Sequence, residues 1–293
     1  MPISEQGYSH WTGTFVERRL PWWPITRLGI RMAFKRKFFK FAFAISFLPS
    51  FIFAAGIYIS ERLEDFQFMF RGRRGPTTNF FEVNPAYFKS YFGGDFLLFM
   101  MVMIMVLAGA GLIADDLKSN SLQLYFSRPI RKRDYLLGKM STLAFFLLLY
   151  TLVPGVLFIL LKFLFAGSFK LVADYPWIPL AVLLDSLLLT LFFSCYTLLL
   201  SSLSRNRRYT AILLFLVYLF SDIFFGIFYG IFRKPGFCLL SIKANLQQVA
   251  AALFRVKPPF DVPWIYSLLI LAAIGLACGA VLIRKTRGVE VIT

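Results

Sequence analysis

The sequence predicts an all-α, polytopic membrane protein with six transmembrane helices. Apolar residues make up 58% of its 293 positions, and the mean hydropathy of +0.69 is too high for a water-soluble domain of this length. A helix needs about 20 mostly apolar residues to cross a hydrocarbon core of about 30 Å. Six runs satisfy this, and they lack the alternation of outer-membrane barrel strands. We expect a single domain over residues 1–293, with spans at 41–60, 96–114, 140–161, 175–204, 209–232 and 262–283.

The basic residues between these spans predict the orientation of the chain. Most of the 32 Lys and Arg residues lie in segments 1–40, 115–139, 204–208 and 284–293, and fewer lie in 61–94 and 233–261. Positively charged loops are retained in the cytoplasm, so we expect a multi-pass protein of the plasma (inner) membrane with both termini cytoplasmic. This bias and the attraction of anionic lipid account for the net charge of +17, so we expect membrane lipid as a partner and no nucleic acid.

An amphipathic helix is expected just before the first span. Its two faces are Arg27, Arg31 and Lys35 on one side, and Ile25, Leu28 and Met32 on the other. This spacing is typical of a helix that lies in the membrane interface.

Motifs for catalysis, cofactors and metals are not convincing. The string LGKMS at 137–141 lacks the upstream Gly and the Ser or Thr of a phosphate loop, and GAGLIA at 109–114 ends a span rather than a strand, which favours close helix packing. Three cysteines and one histidine offer no metal-binding spacing. We expect no enzyme activity, cofactor or metal on this chain. The pairs Gly226 with Gly230 and Gly275 with Gly279 have the spacing of helix crossings.

Two acids interrupt the spans, and an ionised side chain at such a depth is costly. Asp185 and Asp222 are therefore candidate pathway residues, forming a polar cavity wall or a proton site. The alternative is a structural role, with hydrogen bonds to Ser, Thr or Tyr or an ion pair with Lys162.

The polar segment 115–139 between the second and third spans predicts a short cytoplasmic helix. Ser119, Asn120 and Ser121 can cap it, and Pro129 ends it. Its apolar face has the spacing i, i+3, i+4, i+7, formed by Leu122, Tyr125, Phe126 and Pro129. So short a helix needs a cover for this face, either the lipid surface or a pocket in another subunit.

This segment resembles the signature of type 2 ABC-exporter permeases, which runs approximately E-x-x-x-G-T-L-E-L-L-L-S-x-P-I-S-R-x-x-Y-L-L-G-K. The matching residues are Leu122, Leu124, Ser127, Pro129, Ile130, Tyr135, Leu136, Leu137, Gly138 and Lys139. Asp116, Asn120, Ser121 and Gln123 stand where the signature has Glu, Gly, Thr and Glu. Asn tolerates the left-handed backbone that a Gly supplies.

The resemblance implies the permease subunit of an ATP-driven exporter. In that family the segment is a coupling helix that docks into a cytoplasmic ATPase. The expected partners are two copies of that ATPase, which hold ATP and Mg, and a second permease in a homodimer or pseudo-dimer. The implied contact residues are Asp116, Leu122, Tyr125, Phe126, Ser127, Arg128, Pro129, Arg133 and Tyr135. The amphipathic helix before the first span resembles the family's connecting helix.

The segment 233–261 contains a second amphipathic pattern. Its apolar positions are Ile242, Leu246, Val249 and Leu253, opposite Lys243, Asn245, Gln247 and Gln248. The pattern resembles the short outer helices that the family folds back into the membrane as an external gate; alternatively, it lies flat on the outer leaflet. Two other functions remain open for the whole chain: a secondary carrier or channel that uses Asp185 and Asp222, or a membrane scaffold.

Overall fold

The computed structural model describes residues 20–61, 83–121, 131–167 and 170–287. All regular elements in these ranges are helical, and six stretches are long and apolar enough to cross a membrane. The predicted all-α architecture with six spans is confirmed. We number the spans 1 to 6 and call the sides of the bundle inner and outer, after the orientation predicted from charge. The spans are Lys37–Glu61, Pro85–Lys118, Lys132–Ala166, Ile178–Leu203, Arg207–Phe232 and Trp264–Leu282.

The spans differ in how many helices build them. Helix α1 (Trp23–Phe34) precedes span 1, which consists of α2 (Lys37–Ser46) and α3 (Leu48–Glu61); span 2 consists of α4 (Pro85–Phe92), α5 (Asp95–Gly109) and α6 (Gly111–Lys118). Span 3 is α7 (Lys132–Ala166), α8 (Lys170–Asp174) is short, span 4 is α9 (Ile178–Leu203) and span 5 is α10 (Arg207–Phe232). A 3₁₀ helix (Pro235–Leu240), α11 (Ile242–Leu253) and α12 (Trp264–Arg287) follow.

Two helices extend beyond the apolar runs. Helix α7 begins at Lys132, so the last part of the polar segment 115–139 forms its first turns. Helix α4 lies in the predicted outer loop 61–94, where the Asn84 side chain caps it by accepting a hydrogen bond from the Tyr87 N–H at 3.1 Å. Both additions are polar or aromatic helical turns, which a search for apolar runs does not detect.

Spans 2 and 4 form the centre of the bundle. In their most apolar windows 56% of the residues are buried, compared with 44% in span 3, 22% in spans 1 and 6, and 11% in span 5. Aromatic rings fill the contact between spans 1 and 3, where the Phe39 ring lies 5.0 Å from that of Phe146. The periphery of spans 1, 5 and 6 is left to lipid or to another protein.

The glycine pairs of spans 5 and 6 do not lie at helix crossings within this chain. A Cβ atom added at Gly226, Gly230, Gly275 or Gly279 would meet no described atom within 4 Å. The predicted crossings are therefore wrong for this subunit by itself, because these faces of α10 and α12 point away from the bundle.

Candidate functional site between spans 2 and 3

Only the two ends of the predicted coupling segment belong to the described part of the chain. Six of the implied contact residues, Leu122, Tyr125, Phe126, Ser127, Arg128 and Pro129, lie outside the described residues. The others are Asp116 at the end of α6, and Arg133 and Tyr135 at the start of α7. The structure brings Asp116 and Tyr135 together and leaves Arg133 exposed.

The Asp116 carboxylate joins the two ends of this segment. Tyr135 Oη donates a hydrogen bond to Asp116 Oδ2 at 2.7 Å, and Lys139 Nζ lies 2.7 Å from the same oxygen. Tyr135 is fully buried and Lys139 is 8% exposed. We call these three residues the Asp116 clamp. It joins the last turn of α6 to the first turns of α7.

Ser119 and Asn120, predicted to cap the short helix that follows, form the C-terminal end of α6, and the short helix itself lies outside the described residues. Ser119 Oγ donates to the Asp115 carbonyl at 2.8 Å, and Asn120 adopts a left-handed conformation with φ 51°. Asn is one of the few residues other than Gly that adopt this conformation readily. Asn120 therefore provides the backbone turn at the position where the signature has Gly.

Helix α1 packs against the start of span 3 through two glycines. A Cβ at Gly138 would lie 2.8 Å from Ile25 Cβ, and a Cβ at Gly29 would lie 2.6 Å from Thr142 Oγ1. Thr26 Oγ1 also donates to the Gly138 carbonyl at 3.1 Å. Within the string YLLGK, Gly138 thus allows α1 to pack closely, while Tyr135 and Lys139 bind the Asp116 carboxylate.

This packing places the apolar residues of α1 in two different environments. Ile25 is buried against span 3, but Leu28 and Met32 are about half exposed, 50% and 49%. The close approach at Gly29 and Gly138 turns Ile25 toward the protein, and Leu28 and Met32 remain on an outward face.

Span 2 is interrupted at Ala110, one turn and a half before Asp116. The interruption exposes the Leu107 carbonyl, which accepts hydrogen bonds from Arg36 Nη1 and Arg207 Nη2, each at 3.0 Å. Burial lowers the pKa of Arg36, and the positive charge of Arg207 lowers it further, whereas the nearby Asp115 raises it. The two guanidinium groups tie this point of span 2 to the starts of spans 1 and 5.

Ser201 at the inner end of span 4 holds the other side of the interruption. Its Oγ accepts hydrogen bonds from the backbone N–H groups of Ile113 at 3.0 Å and Ala114 at 3.1 Å, and donates to the Ala110 carbonyl at 2.9 Å. A hydroxyl has one donor and two acceptor positions, so Ser201 uses all of them here. We call residues 107–114 with these partners the span 2 break.

The partners of the span 2 break are not predictable from the sequence. The close helix packing that GAGLIA at 109–114 predicts is found at Gly109, where an added Cβ would lie 2.4 Å from Thr197 Cγ2 of span 4. Arg36, Ser201 and Arg207 belong to no motif and are distant in the chain, so no signal in the sequence connects them.

On the outer side, Asp222 belongs to a polar cluster with α11. Ser241 Oγ donates to Asp222 Oδ1 at 3.0 Å, and Lys243 Nζ lies 2.9 Å from Asp222 Oδ2 and 3.6 Å from Asp95 Oδ1. Burial alone would lower the pKa of Lys243, but the hydrogen bond and charge of Asp222, together with Asp95, raise it above its ordinary value. The structural alternative for Asp222, a hydrogen bond to Ser, is therefore formed.

Helix α11 begins deep beside span 5. Its N-cap Ser241 contacts Asp222, which lies about 15 Å before the outer end of α10 at 1.5 Å per residue. Ile242, Leu246 and Val249 are buried within the protein, and Leu253 packs against the core.

The polar face of α11 is not exposed as its amphipathic pattern suggested. Asn245 and Gln248 are 1% and 0% exposed. Asn245 Nδ2 donates to the carbonyls of Leu239 and Ser241, and Gln248 Nε2 donates to those of Phe260 and Val262. These side chains are turned inward because they satisfy carbonyls in the irregular segments on either side of α11.

Asp185 has a different environment from Asp222. Its side chain is 1% exposed, and neither carboxylate oxygen has a hydrogen-bond partner among the described residues. The predicted pair with Lys162 is not formed, because Lys162 Nζ binds the Glu61 carboxylate at the outer end of span 1.

Comparison with known protein families gives a match over most of the chain. A family model described as "ABC-2 family transporter protein" matches residues 40–262. The matched range is most of the chain and includes the Asp116 clamp, α11, and Ser201 and Arg207 of the span 2 break, while Arg36 lies just before it. Comparison with curated proteins gives no match.

Proposed function

Because the chain belongs to the ABC-2 family of transporter proteins, we propose that it is the permease subunit of an ATP-driven exporter, coupled to separate cytoplasmic ATPase subunits. The observation that carries this proposal is the Asp116 clamp at the base of the segment that resembles the coupling helix. In this function the chain forms the pathway, and the partner carries ATP and Mg.

The clamp and the span 2 break provide a route from a docked ATPase to the spans. Closure of two ATPase subunits on ATP would displace the segment between Asp116 and Tyr135. The clamp would pass this displacement to α6 and α7 together, and Arg36, Ser201 and Arg207 would pass it on to spans 1, 4 and 5. ATP drives such a switch only through different affinities for its two arrangements.

Helix α11 is the outer gate in this proposal. Its buried apolar side chains close the outer side of the bundle, and Lys243 holds it to Asp222 and Asp95. Opening the gate requires these ion pairs to separate, which gives Asp222 a role in gating rather than in ion coupling.

The second permease subunit would contact span 5. Only 11% of the residues in the most apolar window of span 5 are buried, the smallest share of the six spans. Span 5 nevertheless contacts both the span 2 break and the gate helix. Gly226 and Gly230 on its open face allow another helix to approach closely.

The test is co-purification of the tagged protein in mild detergent with whatever soluble protein binds it stoichiometrically. We expect a P-loop ATPase with the wild type, and its loss from the Tyr125→Asp, Phe126→Asp variant, because two charges would face an apolar pocket. We also expect Tyr125→Asp alone to abolish nucleotide-driven transport while the protein remains in the membrane.

A matched control is Tyr209→Asp, which adds the same charge at an aromatic residue that is 68% exposed on the inner side. This variant should retain the ATPase. Absence of any ATPase under several extraction conditions would refute the exporter proposal, and an ATPase that both variants retain would refute the docking residues.

A further inference from the structure

Span 4 contains a buried carboxyl group that the proposed exporter mechanism does not use. Asp185 is 1% exposed, and both of its oxygens lack a hydrogen-bond partner among the described residues. An isolated ionised carboxylate in an apolar interior is so unfavourable that the group takes up a proton instead. Asp185 therefore needs a different explanation from the paired Asp222.

A row of buried hydroxyl groups continues from Asp185 toward the inner side. Ser186, Thr190, Ser194 and Thr197 are all at most 3% exposed, and their hydroxyls have no partner within the described ranges. Their spacing of four, four and three residues places them on one face of α9. These hydroxyls extend over about 16 Å from Ser186 to Thr197, and Ser201 of the span 2 break lies about one turn further along the same face. We call these four residues the hydroxyl row.

The hydroxyl row differs from the buried threonines of span 3. Helical Ser and Thr commonly donate to the carbonyl four residues earlier. Thr142 and Thr151 do so at 2.9 Å, to Gly138 and Leu147. The hydroxyls of the row do not, and buried polar groups are generally satisfied by protein or by ordered water. Water is small enough to bridge successive hydroxyls of the row.

Charged groups near span 4 are already engaged elsewhere. Titratable residues on the elements that pack against its outer half include Tyr87, Lys89, Tyr91 and Asp95 of span 2, Tyr150 and Lys162 of span 3, Tyr218 and Asp222 of span 5, Lys243 of α11, Arg255 and Tyr266. Lys162 binds Glu61, Lys243 binds Asp222, and the Arg255 guanidinium lies 4.5 Å from the centre of the Trp177 ring. None of these cations neutralises Asp185.

We propose that Asp185 is a proton-binding site, and that it exchanges its proton with the inner side through water held by the hydroxyl row. The ligand is a proton, taken from water and returned to water. This site is independent of ATP hydrolysis and of the docking segment.

The experiment is infrared difference spectroscopy of the full-length protein in lipid nanodiscs. Wild type should show a carboxylic-acid C=O band at neutral pH, which Asp185→Asn removes and Asp222→Asn retains. Transfer to D₂O should shift the band, because the proton exchanges. Thr190→Val removes one hydroxyl of the row without changing the side-chain shape, and should slow this shift about tenfold, as expected for one lost hydrogen bond in the path.

Thr142→Val is the matched control, because Thr142 is equally buried but bonded within its own helix. It should leave the exchange rate unchanged. Absence of the acid band in wild type, or its persistence in Asp185→Asn, would overturn the proton site. The route would be overturned if the band does not shift in D₂O. It would also be overturned if the shift is as fast in Thr190→Val as in the wild type. If Asp185→Asn does not fold, ¹³C-labelled aspartate in wild type must shift the band, and failure to shift overturns the assignment.

Discussion

At the scale of single residues, the Asp116 clamp has the largest consequences. Lys139 is 8% exposed, so removing its anion leaves a buried cation without its carboxylate partner. We expect Asp116→Asn to destabilise the protein by about 2 kcal/mol, the usual scale for a hydrogen bond to a charged group. The measurement is the melting temperature of the purified protein in detergent.

Lys139→Met tests whether the two residues act as a pair. Methionine retains most of the length of the lysine side chain without its charge. Asp116→Asn should therefore reduce the stability of the Lys139→Met protein much less than it reduces that of the wild type. Tyr135→Phe should have a smaller effect, because it removes one hydrogen bond and leaves the ion pair. Additive effects of Asp116→Asn and Lys139→Met would show that the clamp is not a coupled unit.

At the scale of elements, span 2 depends on side chains from other spans to hold its interruption at Ala110. Ser201→Ala removes three hydrogen bonds, including those from the N–H groups of Ile113 and Ala114. We expect these two amides to exchange with deuterium at least about ten times faster, because they lose their acceptor. Hydrogen-exchange mass spectrometry of a peptide over residues 110–118 measures this effect.

The neighbouring serine gives a matched control. Ser202 is also buried, but its Oγ donates only to the Leu199 carbonyl in its own helix. Ser202→Ala should therefore leave the exchange of the peptide unchanged. If amide exchange accelerates equally in both variants, span 4 has loosened as a whole, and the effect is not due to the lost hydrogen bonds of Ser201.

At the scale of the whole molecule, the uneven burial of the spans predicts where a second permease binds. With Cys195, Cys238 and Cys278 replaced by alanine, we expect Gly226→Cys or Gly230→Cys to form disulfides between subunits under mild oxidation. A cysteine fits at either position, because a Cβ atom added at Gly226 or Gly230 would have no described atom within 4 Å. Non-reducing electrophoresis of membranes measures the dimer, and a disulfide requires Cβ atoms within about 4.5 Å.

Gly275→Cys on span 6 is the control, since this glycine is equally open and has the same Gly-x-x-x-Gly spacing. Cross-linking at Gly275 but not on span 5 would place the second subunit against span 6. Cross-linking at every position would indicate random collision in the membrane.

Patterns within a single helix were predictable from the sequence, and relations between distant helices were not. The apolar runs gave all six spans, because a membrane requires long apolar helices and their composition is local. The string YLLGK marked Tyr135, Gly138 and Lys139 together, but not the carboxylate that Tyr135 and Lys139 share. The partners Arg36, Ser201 and Arg207 were missed, since single polar residues at helix ends are common and carry no spacing.

The sequence by itself determined the membrane-spanning class, the six spans and the segment whose resemblance indicates the family, since hydrophobic length and a contiguous motif are properties of the chain. Only the tertiary structure decided which polar residues are partnered. Asp185 and Asp222 are alike in the sequence, as acids inside apolar helices. Asp222 faces α11 and binds Ser241 and Lys243, whereas Asp185 is buried in the bundle without a described partner. That difference depends on which helix packs against which face, and the cost of burying a charge depends on what surrounds it.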